Sequence, residues 1–204
     1  MDLKRALEYP YATPVRSYLY RDGEAHELPG DGPDLSGRTA LLSYGANSAP
    51  ATLARKLAAL PGVEMPVVRS QLSGFDVVYS AHVSPYGAVP ATLHESPGTT
   101  APVFVLHPTA EQQALLTATE PNYDRVEVDG IAAYRSKHGP LLLDDSPIAL
   151  AAIRSQGRTL PELDQPAILD RVRALEGPDM DIETFVRSCV ERGGIVLLPR
   201  LGPL

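Results

Sequence analysis

The sequence holds a single cysteine, Cys189, so it can build neither an intramolecular disulfide framework nor a cysteine-based metal cluster. Its histidines, His26, His82, His94, His107 and His138, are scattered without metal-ligand spacing and receive no role, and no metal or other cofactor is expected. Positive charge is also short: 18 Lys and Arg face 25 Asp and Glu, for a formal net charge of -7. No basic run and no interleaving of basic with aromatic residues occurs, which argues against a nucleic-acid partner. Long apolar stretches are missing, since each is broken by Pro or by a charge. The start Met1-Asp2-Leu3-Lys4-Arg5 has no apolar signal core behind it, so the expectation is a cytoplasmic protein with no membrane association. Arg far outnumbers Lys, and Ala, Leu and Pro are abundant, a composition that suits a GC-rich bacterial genome.

What is present fits one domain of ordinary size with a sizeable core, at 204 residues. Residues 1–38 read as an N-terminal extension and residues 39–204 as the main domain. In the extension, Val15 to Leu28 carries Asp22-Gly23 between apolar residues, the chemistry of a tight β-hairpin turn. A breaker-rich linker follows from Pro29 to Gly37. Strands are expected over 39–44, 66–72, 74–81, 89–94, 102–107, 123–128, 131–134 and 141–143. Helices are expected over 50–60, with Asn47 or Ser48 as N-cap, and over 109–120, opened by the capping box Thr109-Ala110-Glu111-Gln112. Further helices are expected over 147–154, 166–175 and 182–192, the last with Cys189 as a buried thiol, and a final strand over 195–198. Strands that are mostly adjacent, with helices inserted early and gathered late, favour an α+β fold in which a small mixed β-barrel carries peripheral helices.

Two short stretches stand out. In Ala40-Leu41-Leu42-Ser43-Tyr44-Gly45-Ala46-Asn47 an apolar strand runs into a turn just before a helix, where Gly45 and Asn47 tolerate unusual backbone angles and amides can face a ligand. In Glu120-Pro121-Asn122-Tyr123-Asp124-Arg125 a carboxylate closes a helical run, where the helix dipole disfavours negative charge; it is an inclined proton acceptor. Taken singly, each has a plainer reading: Asn47 capping a helix, Glu120 as a solvated helix-end acid, Tyr123 as a strand residue packing on the sheet.

The ordered series changes that balance. Tyr44-Gly45-Ala46-Asn47 resembles the Tyr-Gly-Ser-Asn loop between first strand and first helix of the gamma-glutamyl cyclotransferase-like family. The resemblance continues through Ala91-Thr92-Leu93, Ser96-Pro97-Gly98, the strand Val103 to Leu106, the helix from Thr109 to Glu120, and Tyr123-Asp124-Arg125-Val126. It covers roughly 39–128 and leaves 1–38 without a counterpart. The family's fold, a small mixed β-barrel, and its reaction are what the resemblance implies: the free α-amine of a γ-glutamyl group attacks its own γ-carbonyl, closing 5-oxoproline and releasing the attached amine or amino acid. Glu120 would serve as general base and then acid, the backbone of Gly45, Ala46 and Asn47 would hold the glutamyl carboxylate or the developing oxyanion, and Tyr44 and Tyr123 would wall the pocket. The expected partner is thus a small γ-glutamyl compound, and the protein a monomer or homodimer. Ala46 stands where the family has Ser, which motivates the alternative of a binding protein that keeps the pocket without turnover. A hydrolase using Ser43 as nucleophile lacks both a Gly-x-Ser-x-Gly elbow and a partner histidine.

Overall fold

The computed structural model describes residues 3–197 and 200–201. Helix α1 (Leu3–Leu7) precedes β1 (Tyr18–Arg21), β2 (Glu24–His26) and β3 (Leu41–Ser43), then a 3-10 turn (Ala46–Ser48) and α2 (Pro50–Lys56). Two long strands follow, β4 (Glu64–Tyr79) and β6 (Ala91–Leu106), with β5 (His82–Val83) between them. After α3 (Ala110–Ala118) come β7 (Tyr123–Val128), β8 (Ile131–Ser136) and the short β9 (Leu142–Leu143), β10 (Ser146–Pro147), β11 (Ala149–Leu150) and β12 (Glu162–Leu163). Helices α4 (Gln165–Glu176) and α5 (Ile182–Glu191) and the short β13 (Ile195–Val196) and β14 (Arg200–Leu201) end the described chain; position 198 of the expected last strand lies outside the described residues.

The class is α+β, with five helices and a mixed sheet of nine strands among the described residues. The path β12-β11-β4-β6-β3-β8-β7 ends at β7 and β12 without joining them, and no closed barrel is found among the described residues. By compactness the chain falls into two interleaved units, one of Tyr11–Leu72 with Pro102–Lys137, the other of Met1–Pro10, Ser73–Ala101 and His138–Leu204. The division does not fall at residue 38. The hairpin forms as its turn chemistry requires, with Asp22 at φ 50° and Gly23 at φ 86°, but β1 also pairs antiparallel with β4 from Tyr18↔Val67 to Arg21↔Glu64. It is a strand of the sheet, not an appendage.

The unit of Tyr11–Leu72 and Pro102–Lys137 encloses a core of Tyr18, Tyr20, Leu41, Leu53, Met65 and Leu116, among others. Helix α2 stops at Lys56, short of the expected residue 60, yet Leu53 and Leu57 still enter that core and Leu60 packs on its side. The capping box of α3 is complete: Thr109 accepts from the Gln112 amide and Gln112 reaches back to the Thr109 amide.

Two expected breaks between strands are instead interior to strands. Gly74 at φ 81° lies inside β4 and Gly98 at φ 85° inside β6, so each glycine bends a strand that continues past it. Ladder pairing along the strands overrides the local turn chemistry of Ser96-Pro97-Gly98. The helix expected over 147–154 is likewise absent. Ile148, Ala149 and Leu150 are fully buried, and their backbone is committed to ladders that pair Ala149 with Val78 and Leu150 with Leu163. A short apolar run does not by its period distinguish a buried strand from a buried helix.

In the unit that holds Ser73–Ala101 and His138–Leu204, helices α1, α4 and α5 pack on one another. Asp164 and Asp181 cap α4 and α5, Ile168, Leu169 and Phe185 are fully buried, and Cys189 is a free buried thiol. The polar anchor of this unit is Asp76, which is fully buried. Its carboxylate accepts from Arg158 Nε and Nη2 at 2.8 Å each, from Ser155 Oγ at 2.6 Å and from the Val77 amide at 2.8 Å. Arg158 spends its other donors on the Leu150 and Ile153 carbonyls and on Glu162, tying the 150–162 segment to β4. Burial works against the Asp76 charge, but the Arg158 and Ser155 hydrogen bonds outweigh it and hold the carboxyl below its ordinary 3.8. Asp76→Ala strands the Arg158 guanidinium and is expected to cost about 3–5 kcal/mol in urea denaturation. Because the folded-state pKa is the lower one, the stability Asp76 contributes is complete above pH 3.8 and fades as pH falls below it through the folded value. Acid titration of the wild type against the variant checks this; parallel curves would contradict it.

Candidate functional site

Strand β3 lies between β6, antiparallel with Leu41↔Leu106 and Ser43↔Phe104, and β8, parallel with Leu41↔Ala132. All three of its residues are buried, which fixes the place where the chain leaves the sheet. Tyr44 is buried next, and its hydroxyl donates to the Tyr134 carbonyl of β8. This phenol therefore anchors the loop to the sheet. Gly45 starts the 3-10 turn: its carbonyl accepts from Ser48 Oγ at 2.9 Å, while the Ser48 carbonyl accepts from the Tyr18 hydroxyl at 2.5 Å. In a turn of this kind the first amides, here those of Ala46 and Asn47, precede its own hydrogen bonds.

Asn47 does not cap α2. The N-cap is Ala49, without a side-chain cap, and Pro50 opens the helix, which needs no amide partner there. Asn47 instead donates from Nδ2 to Glu120 Oε1 at 2.9 Å, across 73 positions of sequence. The two stretches singled out in the sequence thus meet through side chains.

Glu120 lies just past α3. Its amide donates to the Thr117 carbonyl at 3.0 Å, its carbonyl accepts from the Tyr123 amide at 3.1 Å, and Lys137 Nζ donates to the Pro121 carbonyl at 2.8 Å. The backbone is fixed on both sides of the acid. The side chain is 14 % exposed and pairs with Lys56 Nζ at 2.5 Å from Oε1, Lys56 being 16 % exposed. Asn47 and Lys56 both converge on Oε1; among the described residues neither reaches Oε2. The negative charge is felt by Tyr134, whose phenol is pushed up first by burial and further by Glu120, against a lowering hydrogen bond from Thr117.

Three buried polar atoms on the same stretch of chain have no hydrogen-bond partner: Ser43 Oγ, Asn47 Oδ1 and Thr52 Oγ1. Asn47 Oδ1 belongs to the amide whose nitrogen holds Glu120, and Thr52 precedes Lys56 by four residues on one face of α2. Buried polar atoms are nearly always paired, so these orphans make the stretch that carries Asn47 and Lys56 a candidate place for a polar ligand. Tyr123 is half-buried and packs against the core of its unit. Among the described residues no group of three or more His, Cys, Asp or Glu is placed to hold a metal ion, and no helix is long and apolar enough to cross a membrane.

Lys56 was not legible as a site residue from the loop motif. One signal in the sequence points to it: the chain has three lysines, Lys4, Lys56 and Lys137, and two of them bear on the Glu120 turn. No protein-family model, no curated protein and no solved structure matches the chain.

A double-mutant cycle of Lys56→Met and Glu120→Gln, read by chemical denaturation, is expected to give a coupling of about 1–3 kcal/mol, as for charged neighbours largely withdrawn from water. Additive effects would mean that the pair does not act as a unit.

Proposed function

We propose that this chain is a gamma-glutamyl cyclotransferase-like enzyme, its sheet a form of that family's small mixed barrel, and that it converts a γ-glutamyl amine or γ-glutamyl amino acid into 5-oxoproline. The observation that carries the reading is the 2.9 Å contact between Asn47 and Glu120, which joins the loop and the acid that the reaction needs in one place.

The substrate's α-nitrogen begins as an ammonium with three protons and ends as a lactam nitrogen with one. Glu120 takes the first proton, which frees the lone pair for attack on the γ-carbonyl. The new C–N bond forms, the tetrahedral oxyanion develops, and the bond to the departing nitrogen breaks. The protons shed by the α-nitrogen pass through Glu120 to the departing nitrogen, and Glu120 returns to its carboxylate form. Attack is intramolecular, so the enzyme supplies neither a nucleophile nor a cofactor. Its main task is to hold the chain of the substrate curled into a near-attack conformer. The amides of Gly45, Ala46 and Asn47 are suited to the oxyanion, because a backbone N–H needs no reorganisation as charge appears. Tyr44 keeps that loop in register from beneath, and Tyr123 contributes the wall behind Glu120.

A second reading, a binding protein without turnover, is favoured by two particular features: Ala46 has no hydroxyl where the family's motif has one, and Glu120 is already neutralised by Lys56. A panel of γ-glutamyl amines and amino acids, assayed for 5-oxoproline, separates the two. The expected result is product release by the wild type and a fall of about 100-fold or more in Glu120→Gln. Saturable binding with no product would favour the second reading, and undiminished turnover by Glu120→Gln would remove that residue from the mechanism.

A further inference from the structure

The candidate site brings one cation and one anion into contact, Lys56 Nζ and Glu120 Oε1 at 2.5 Å, each side chain about one-sixth exposed or less. The pair sets ammonium protons and an accepting carboxylate side by side. It is useful if the ligand brings its own pair of opposite charges. A free α-amino-acid headgroup is such a ligand: its ammonium and its carboxylate hang from one carbon, with the same close spacing as the protein pair and the opposite sense.

We propose that Lys56 and Glu120 together form a receptor for the zwitterionic α-amino-acid headgroup, with Lys56 as the residue that selects the α-carboxylate. The four charges then alternate around a closed ring, ligand carboxylate on Lys56 and ligand ammonium on Glu120. Both protein and ligand partners are neutral in sum, so no net charge is taken out of water when they join. The unused Glu120 Oε2 and the orphan Asn47 Oδ1 are acceptors for the several protons of the ammonium. The orphan Thr52 Oγ1, four residues before Lys56 on the same helix face, is a donor for the carboxylate. Assigning the carboxylate to Lys56 also leaves the amides of Gly45, Ala46 and Asn47 to the oxyanion alone.

This inference rests on the cyclotransferase reading for the position of the reacting carbonyl, but its test does not use turnover. The probes are L-methionine sulfone, whose side chain cannot cyclise, and the simple amine that remains when its carboxylate is removed. By calorimetry the wild type is expected to prefer the amino acid by about 30-fold. Lys56→Gln is expected to lose that preference while its circular dichroism and melting stay those of a folded protein. A purely structural role for Lys56 would weaken both probes alike and leave their ratio unchanged, and that result overturns the proposal. So does equal binding of both probes, or binding of neither, by the wild type, a measurement that does not depend on how the variant folds. A lost preference in Lys56→Gln alongside a wild type that releases no 5-oxoproline would keep the headgroup receptor and discard the enzyme reading. An unchanged preference alongside product release would do the reverse.

Discussion

A carboxylate with little access to water must be supplied with donors, and for Glu120 those donors come from a part of the chain more than sixty residues away. That requirement sets the arrangement of the unit around it. Asn47 comes off the end of β3 and spends its side-chain amide on Glu120, while Ala49 and Pro50 begin α2. Lys56 has to be one turn beyond Thr52 on the inner face of that helix, close to the point where Leu57 enters the core. The turn after α3 has to be rigid, and it is held by Thr117, Tyr123 and Lys137 through backbone atoms. An ion pair of this kind contributes little net stability against a well-packed apolar alternative.

The comparison with Asp76 sharpens that argument. Both acids are withdrawn from water and both face a basic side chain. Asp76 receives four hydrogen bonds spread over both oxygens, and Arg158 has its remaining donors occupied by carbonyls and Glu162. Nothing is left over, as in a structural network whose members are all satisfied. At Glu120 both donors crowd one oxygen, and on the stretch that supplies them Ser43, Asn47 and Thr52 each keep an unpaired polar atom. An unsatisfied buried group costs free energy that the Asp76 network does not incur.

Much of this was legible in the sequence, and the failures have physical reasons. The Asp22-Gly23 hairpin, the Thr109 capping box and the Asp164 and Asp181 caps are written in residues whose local chemistry leaves few alternatives, and all are present. Local chemistry misled where longer pairing overrode it: Gly74 and Gly98 read as breaks but lie within continuous strands, and the 147–154 run read as a helix but is drawn into ladders with Val78 and Leu163. The hairpin was legible as a hairpin, but not as a neighbour of β4, because pairing between residues as distant as Tyr18 and Val67 leaves no local mark. At the candidate site, the loop at Tyr44–Asn47 and the acid Glu120 could be singled out from their surroundings, and the structure joins Asn47 to Glu120. Lys56 could not, since a lysine late in a helix is ordinarily a solvated residue that suits the helix dipole.

That the partner is a lysine, in a chain that meets almost every other need for positive charge with arginine, has a geometric explanation. An arginine presents a planar fork, and Arg158 shows the outcome at Asp76, where Nε and Nη2 engage both carboxylate oxygens and close the group to any further partner. A fork at position 56 would do the same to Glu120 and occupy the oxygen a ligand's ammonium requires. Lysine is a compact charge with donors free to rotate, so it neutralises Glu120 through Oε1 alone and still has protons to give to a second anion. The choice of cation thus separates a closed ion pair from an open one, and only the open one keeps a carboxylate oxygen and ammonium protons for a second partner.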